Sequence, residues 1–118
     1  MTIDFYSKTG EPIAYTEGNE HIYLFSGAPV AYLSGDAVYA FSGEHIGWFE
    51  DGWIRDKKGS CVLFSAETHG GPIKPVKRIK PVKGVKRIKP VKGVRQIKSV
   101  KAVKGLSWSP LSGKQFFV

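Results

Sequence analysis

The sequence predicts an all-β protein. Four sequential β-hairpin repeats stand around a pseudo-fourfold axis, followed by an extended arm and a C-terminal closing strand. Three observations carry this reading. Residues 1–67 repeat a hairpin-sized unit four times, residues 73–108 count in threes, and the two parts carry opposite charge.

The hairpin copies are "IDFYSKTGEPIAYTEG" from Ile3, "IYLFSGAPVAYLSGD" from Ile22, "VYAFSGEHIGWFEDG" from Val38 and "IRDKKGSCVLFSAE" from Ile54. Each has an apolar opening strand, a turn with glycine (Gly10, Gly27, Gly43, Gly59), and a second strand. Val, Ile, Tyr, Phe and Trp fit a pleated, half-buried surface. Glycine takes the positive φ that tight hairpin turns demand. In "IYLFS", Ile22 and Leu24 face one way, and Tyr23 and Phe25 the other. A lone hairpin is marginal in water, so the four must pack together. Ala14, Ala31 and Gly47 supply a small residue in three second strands, where backbones would crowd. A meandering sheet curled into a half-barrel fits the same repeats. No segment keeps a helical period beyond about two turns, and no helix is predicted.

These sequential hairpins, with "GWFEDGWIRDKKGSCVLF", the Lys-Pro-Val-rich run and the ending "LSWSPLSGKQFF", resemble the four-fold β-flower proteins of bacteria over nearly the whole chain. The resemblance implies the fold and brings no catalytic residues. WG-type and MORN-type repeats also alternate glycine with aromatics, but their spacings fit less well.

The arm spans residues 73–105. Its beat is IKP VKR IKP VKG VKR IKP VKG VRQ IKS VKA VKG, and "VKRIKPVKG" occurs twice in succession. The first position of each triplet is Ile or Val, and the second is Lys or Arg. On an α-helix an apolar residue every third position would drift round the surface, and on a strand it would alternate between faces. Polyproline II has three residues per turn, needs no internal hydrogen bonds and accepts Pro75, Pro81 and Pro90. It puts the aliphatic residues on one edge and the cations on another. Nine residues of it reach about 28 Å, and a 72-residue head is about 28 Å across. The arm is therefore expected to fold back in lengths matched to the head. It would lay its aliphatic edge on the hairpins and its lysines beside the acids. Residues 106–118 are apolar again and are expected to return to the body as a last strand.

Charge divides the same way. Residues 1–72 hold four basic against ten acidic residues, a net of −6. Residues 73–118 hold fourteen basic residues and no acid, so the chain nets +8. Such a cationic run points to one of two uses. In the first, the protein is a non-enzymatic interaction module whose acidic head neutralises the arm. In the second, the arm binds nucleic acid or another polyanion without sequence preference, through Lys77, Arg78, Lys80, Lys83, Lys86, Arg87, Lys89, Lys92, Arg95, Lys98, Lys101 and Lys104. Candidate partners are another copy of the chain, an acidic protein, or nucleic acid. Tyr32, Trp48 and Trp53 are candidates for an aromatic ligand face. Membrane-surface attachment is disfavoured, because the run makes a poor amphipathic helix.

Catalysis finds no support in the residues. His21, His45 and His69 stand 24 residues apart, which is no metal spacing, and no cysteine cluster accompanies them. "RDKKG" reads as a hairpin turn rather than an acid/base pair. No cofactor motif is present. Single Cys61 excludes an internal disulfide, and a reducing cytosol is the expected compartment. No basic start followed by an apolar run marks a secretion signal. No stretch approaches the length of a membrane span.

Overall fold

The computed structural model describes residues 2–117. Eight strands form one closed antiparallel barrel, each paired to its neighbour in chain order. They are β1 (Thr2–Tyr6), β2 (Pro12–Glu17), β3 (His21–Leu24), β4 (Pro29–Ser34), β5 (Ala37–Tyr39), β6 (His45–Glu50), β7 (Trp53–Asp56) and β8 (Cys61–Phe64). Closure removes the exposed edges that an open sheet would leave. At the seam, β1 meets β8 through the single registered pair Tyr6↔Phe64.

The repeat is visible in the register. Each hairpin carries a bulge at the same place: between Phe5 and Tyr6, Ile22 and Tyr23, Val38 and Tyr39, and Ile54 and Arg55. A bulge bends a strand and increases its twist, which lets a small barrel close. The following turn needs a left-handed residue, and Gly10, Gly27, Gly43 and Gly59 stand there with φ between 82° and 99°.

The interior is filled by paired positions. Phe5 lies opposite Ala14, Ile22 opposite Ala31, Val38 opposite Gly47, and Ile54 opposite Leu63. Three of the four pairs match a large residue with a small one, which suits a narrow lumen. A Cβ on Gly47 would strike the Arg55 carbonyl and lie 2.8 Å from the Phe116 ring, so that glycine lets both the neighbouring strand and the C-terminal segment come close.

That segment departs from the expected closing strand. Trp108 forms one parallel bridge with Cys61, and Gly113–Phe116 then make a single helical turn, α1. Ser112 and Gln115 form a reciprocal capping box at its start. The Ser-x-x-Gln spacing was in the sequence, and Pro110 removes an amide a strand would need. Phe116 is buried in the barrel core.

Residues 73–105 form no helix or strand and run as an extended arm. They do not fold back in straight lengths. They pass the four hairpin turns in order, at one end of the barrel. Val76 meets Gly10, Val85 meets Gly27, Val94 meets Gly43 and Val103 meets Gly59. The arm advances nine residues per quarter-turn while the barrel uses sixteen or seventeen, because a hairpin must climb and descend the wall. At about 3.1 Å per residue, nine residues per quarter give a circuit of about 110 Å, and a ring that long is about 36 Å wide. The molecule is a disc of 36 × 36 × 24 Å.

Candidate functional site: the arm and the wall beneath it

Strand alternation sends one side chain of each core-facing pair's neighbour outward. On the second strands these are Tyr15, Tyr32, Trp48 and Phe64. On the first strands they are Tyr6, Tyr23, Tyr39 and Arg55. The outer wall is thus aromatic nearly all round. Tyr15 and Tyr23 stack at 5.8 Å, Tyr32 and Tyr39 at 5.6 Å, and Tyr6 and Phe64 at 5.5 Å.

The arm covers this wall with its cations. Lys83 lies 4.3 Å from the Tyr15 ring, Lys92 4.4 Å from Tyr32, Lys86 5.0 Å from Tyr23 and Lys101 5.0 Å from Trp48. Arg95 sits over Tyr32 and Tyr39, Lys77 over Tyr6, and Lys74 over Phe64. The electron-rich ring faces attract the ammonium and guanidinium groups, though the cations keep much of their hydration. Beyond the rings some lysines reach the acids of the barrel. Lys80 bonds Asp4 at 2.8 Å, Lys104 bonds Asp51 at 2.6 Å, Lys86 bonds Glu17, and Lys101 spans Asp36 and Glu50. Their lysine partners hold Glu17, Asp36 and Asp51 below the usual carboxylate range. These pairs stand at the surface, where water and salt screen them, so they orient the arm more than they stabilise it.

The third position of the triplet faces the barrel. Its amides donate to the turn carbonyls: Arg78 to Gly10, Arg87 to Gly27, Gln96 to Gly43 and Gly105 to Gly59. Gly84 and Gly93 donate to Phe25 and Phe41 at 2.7 Å. A Cβ on either would strike the carbonyl of Ser26 or Ser42. Position three is therefore glycine where the two backbones come closest.

The expected orientation of the arm is half corrected. Its lysines lie beside the acids, but its aliphatic edge does not lie on the hairpins. Eleven Val and Ile residues, from Ile73 to Val103, are 90 % exposed or more. The barrel has already filled its core, and its outer wall offers aromatic faces, carboxylates and carbonyls. Those electron-rich groups match ammonium and amide hydrogens rather than methyls.

The predicted aromatic ligand face is also corrected. Tyr32, Trp48 and Trp53 belong to the wall but are 3 %, 5 % and 1 % exposed. Cations of the arm cover the first two. Trp53 is held against Trp108, with its indole N–H donating to the Gly70 carbonyl at 2.6 Å. They are packing surface, not an open face. Of the twelve candidate polyanion residues, Lys80, Lys86, Lys101 and Lys104 are ion-paired, and Lys77, Lys83, Lys92 and Arg95 lie over rings. Arg78, Arg87, Lys89 and Lys98 make no ion pair or ring contact among the described residues.

Two latches escaped sequence reasoning. Arg55 takes the place of tyrosine in the fourth hairpin and is buried. Its guanidinium donates to the carbonyls of Gly59 at 2.6 Å and Gly105 at 2.8 Å, tying turn to arm. In the third hairpin the Tyr39 hydroxyl donates to the Gln96 carbonyl, nine residues earlier in the arm. Aligning Arg55 under Tyr6, Tyr23 and Tyr39 would have exposed the substitution. Asp56 confirms "RDKKG" as a turn: it accepts from the amides of Lys58 and Ser60 and from the Ser109 hydroxyl.

His45 is the second latch. Nε2 lies 2.8 Å from the Gly47 carbonyl, to which it donates, leaving Nδ1 to accept the Ser99 amide at 3.2 Å. The His45 amide donates to the Gln96 side-chain carbonyl. Burial holds this imidazole below the ordinary histidine range. Lys57 and Lys98 act in the same direction, against Gly47 and Asp36. Because the folded value is depressed, the stabilisation is complete above about pH 6.5 and is lost as pH falls through the folded value. Protonated Nδ1 would face the Ser99 amide as donor against donor. Hydrogen exchange at Ser99 and Gln96, corrected for intrinsic rates, is expected to rise selectively on mild acidification. In His45→Phe that pH dependence disappears.

Among the described residues no group of three or more His, Cys, Asp or Glu side chains is placed to hold a metal, and no helix is long and apolar enough to cross a membrane. Cys61 is fully buried, and burial pushes its thiol pKa up. Comparison with known proteins gives a match to the family model described as 4-fold beta flower protein, over residues 3–117. No curated protein and no solved structure matches.

Proposed function

We propose that this chain, which belongs to the 4-fold beta flower protein family, acts as a non-enzymatic interaction module. Its basic arm is part of the fold, a belt held on the acidic barrel. One observation carries the reading: the arm meets four equivalent turns in one register, nine residues apart. A tail that worked by reaching out for a polyanion would gain nothing from matching the circumference of its own barrel. A reducing cytosol is the proposed compartment, in keeping with one buried, unpaired cysteine.

Trace trypsin tests the reading. Thirteen Lys or Arg residues lie between positions 73 and 105. A docked belt resists cleavage there at low and at moderate salt, because its backbone is pinned by amide bonds that salt does not screen. Immediate cutting of the arm with survival of residues 1–72 would replace the belt with an exposed arm. Nucleic-acid binding should then fall steeply with salt.

A further inference from the structure

The belt displays the side chains that a folded protein normally hides. Ile73, Val76 and every third residue to Val103 stand almost wholly in water. The largest apolar patch of an ordinary soluble monomer is about 300–600 Å² and often marks an interaction site. Here the aliphatic side chains form a rim instead of a patch. The arm keeps the same register on all four turns, so Ile79, Ile88 and Ile97 occupy equivalent places on successive quarters, and so do Val82, Val91 and Val100. The four turns stand at the same end of the barrel, so the rim follows that end. Between the aliphatic residues stand Arg78, Arg87, Lys89 and Lys98, whose side chains make no ion pair or ring contact among the described residues.

We propose that this rim docks on an anionic lipid bilayer. The methyl groups enter the boundary between headgroups and acyl chains, and the free cations meet the lipid phosphates and carboxylates. Charge selects this occupant. A second copy would set one belt of thirteen cations against another. A nucleic acid would satisfy the cations and leave the methyls in water. An anionic bilayer is flat, negative at its surface and apolar just beneath, as the cytoplasmic leaflet is. Interfacial anchoring needs an apolar side beside a cationic one, and it is usually met in helices. An extended arm pinned round a disc meets the same requirement without a helix.

The inference rests on the arm being docked, and the test separates the two. The full chain is sedimented with vesicles of phosphatidylcholine alone, and with vesicles containing phosphatidylserine as well. The same is done with the triple variant Ile79→Ser, Ile88→Ser, Ile97→Ser, whose altered positions touch nothing in the fold. Trace trypsin is run on every sample without vesicles. The wild type is expected to bind the anionic vesicles and not the neutral ones, and the variant to bind them about tenfold more weakly or less. Equal binding by the variant would mean charge attraction only and would overturn the proposal. So would absence of binding in a trypsin-resistant protein, or a concentration-dependent dimer abolished in the variant, which would make the rim an interface between copies. A belt cut at once by trypsin overturns the docking reading itself.

Discussion

Truncating the chain after residue 72 is expected to abolish cooperative folding, although all eight strands remain. The arm and C-terminal segment cover Tyr15, Tyr39, Trp48, Trp53 and Phe64, all now 5 % exposed or less. Without them the wall faces water, Phe116 leaves the core, and the carbonyls of Gly10, Gly27 and Gly43 lose their donors. Seven cations also leave the rings they cover, and a small domain has only about 5–15 kcal/mol of net stability to lose. Thermal unfolding followed by near-ultraviolet circular dichroism should lose its sharp transition, and the truncated chain should bind a hydrophobic dye. A truncated chain that melts as sharply as the whole would show that the barrel stands alone and the belt is an ornament on it.

The double variant Gly84→Ala, Gly93→Ala is expected to unseat the belt. Either Cβ would meet a backbone carbonyl, which cannot rotate away as a side chain can. Forcing methyl groups into such closely packed places costs about 1–3 kcal/mol each. The strain falls on the arm, since the turns are held by the barrel. Trypsin should then cut residues 76–102 sooner than in the wild type. Gly18→Ala and Gly35→Ala are informative controls: a Cβ at either meets nothing within 4 Å, though both glycines have positive φ. They should cost strain in their own turns and leave the belt seated.

Much of this molecule was legible in its residues. The four turn glycines located four hairpins, and the alternation in "IYLFS" put Ile22 and Tyr23 on opposite faces, which the structure makes core and wall. Ala14, Ala31 and Gly47 were identified as the small residues of a crowded interior, two of them within the core cluster and the third beneath Phe116. Other features were not legible. Aligning the repeats shows Arg55 in a tyrosine's place, but nothing local reveals that it reaches across fifty positions to Gly105. The role of His45 is not legible locally, because its partners, Ser99 and Gln96, are distant in sequence. A capping motif as short as the one at Ser112 is a weak signal beside Trp108, Phe116 and Phe117, which favour a strand.

By itself the sequence determined the count of hairpins, the split of charge, and an arm with three distinct edges and a nine-residue repeat. These are properties of near neighbours, set by backbone preference and side-chain period. Which edge faces which surface was decided by the tertiary structure. The barrel encloses its own aliphatic core and turns aromatic rings, carboxylates and turn carbonyls outward. The arm must come within hydrogen-bonding distance of that wall, so glycine and the amides of position three go inward and the lysines fold over the rings. The Val and Ile edge is left to solvent. Hydrophobicity alone would have buried it. Closure of the barrel had already removed the surface on which it could be buried.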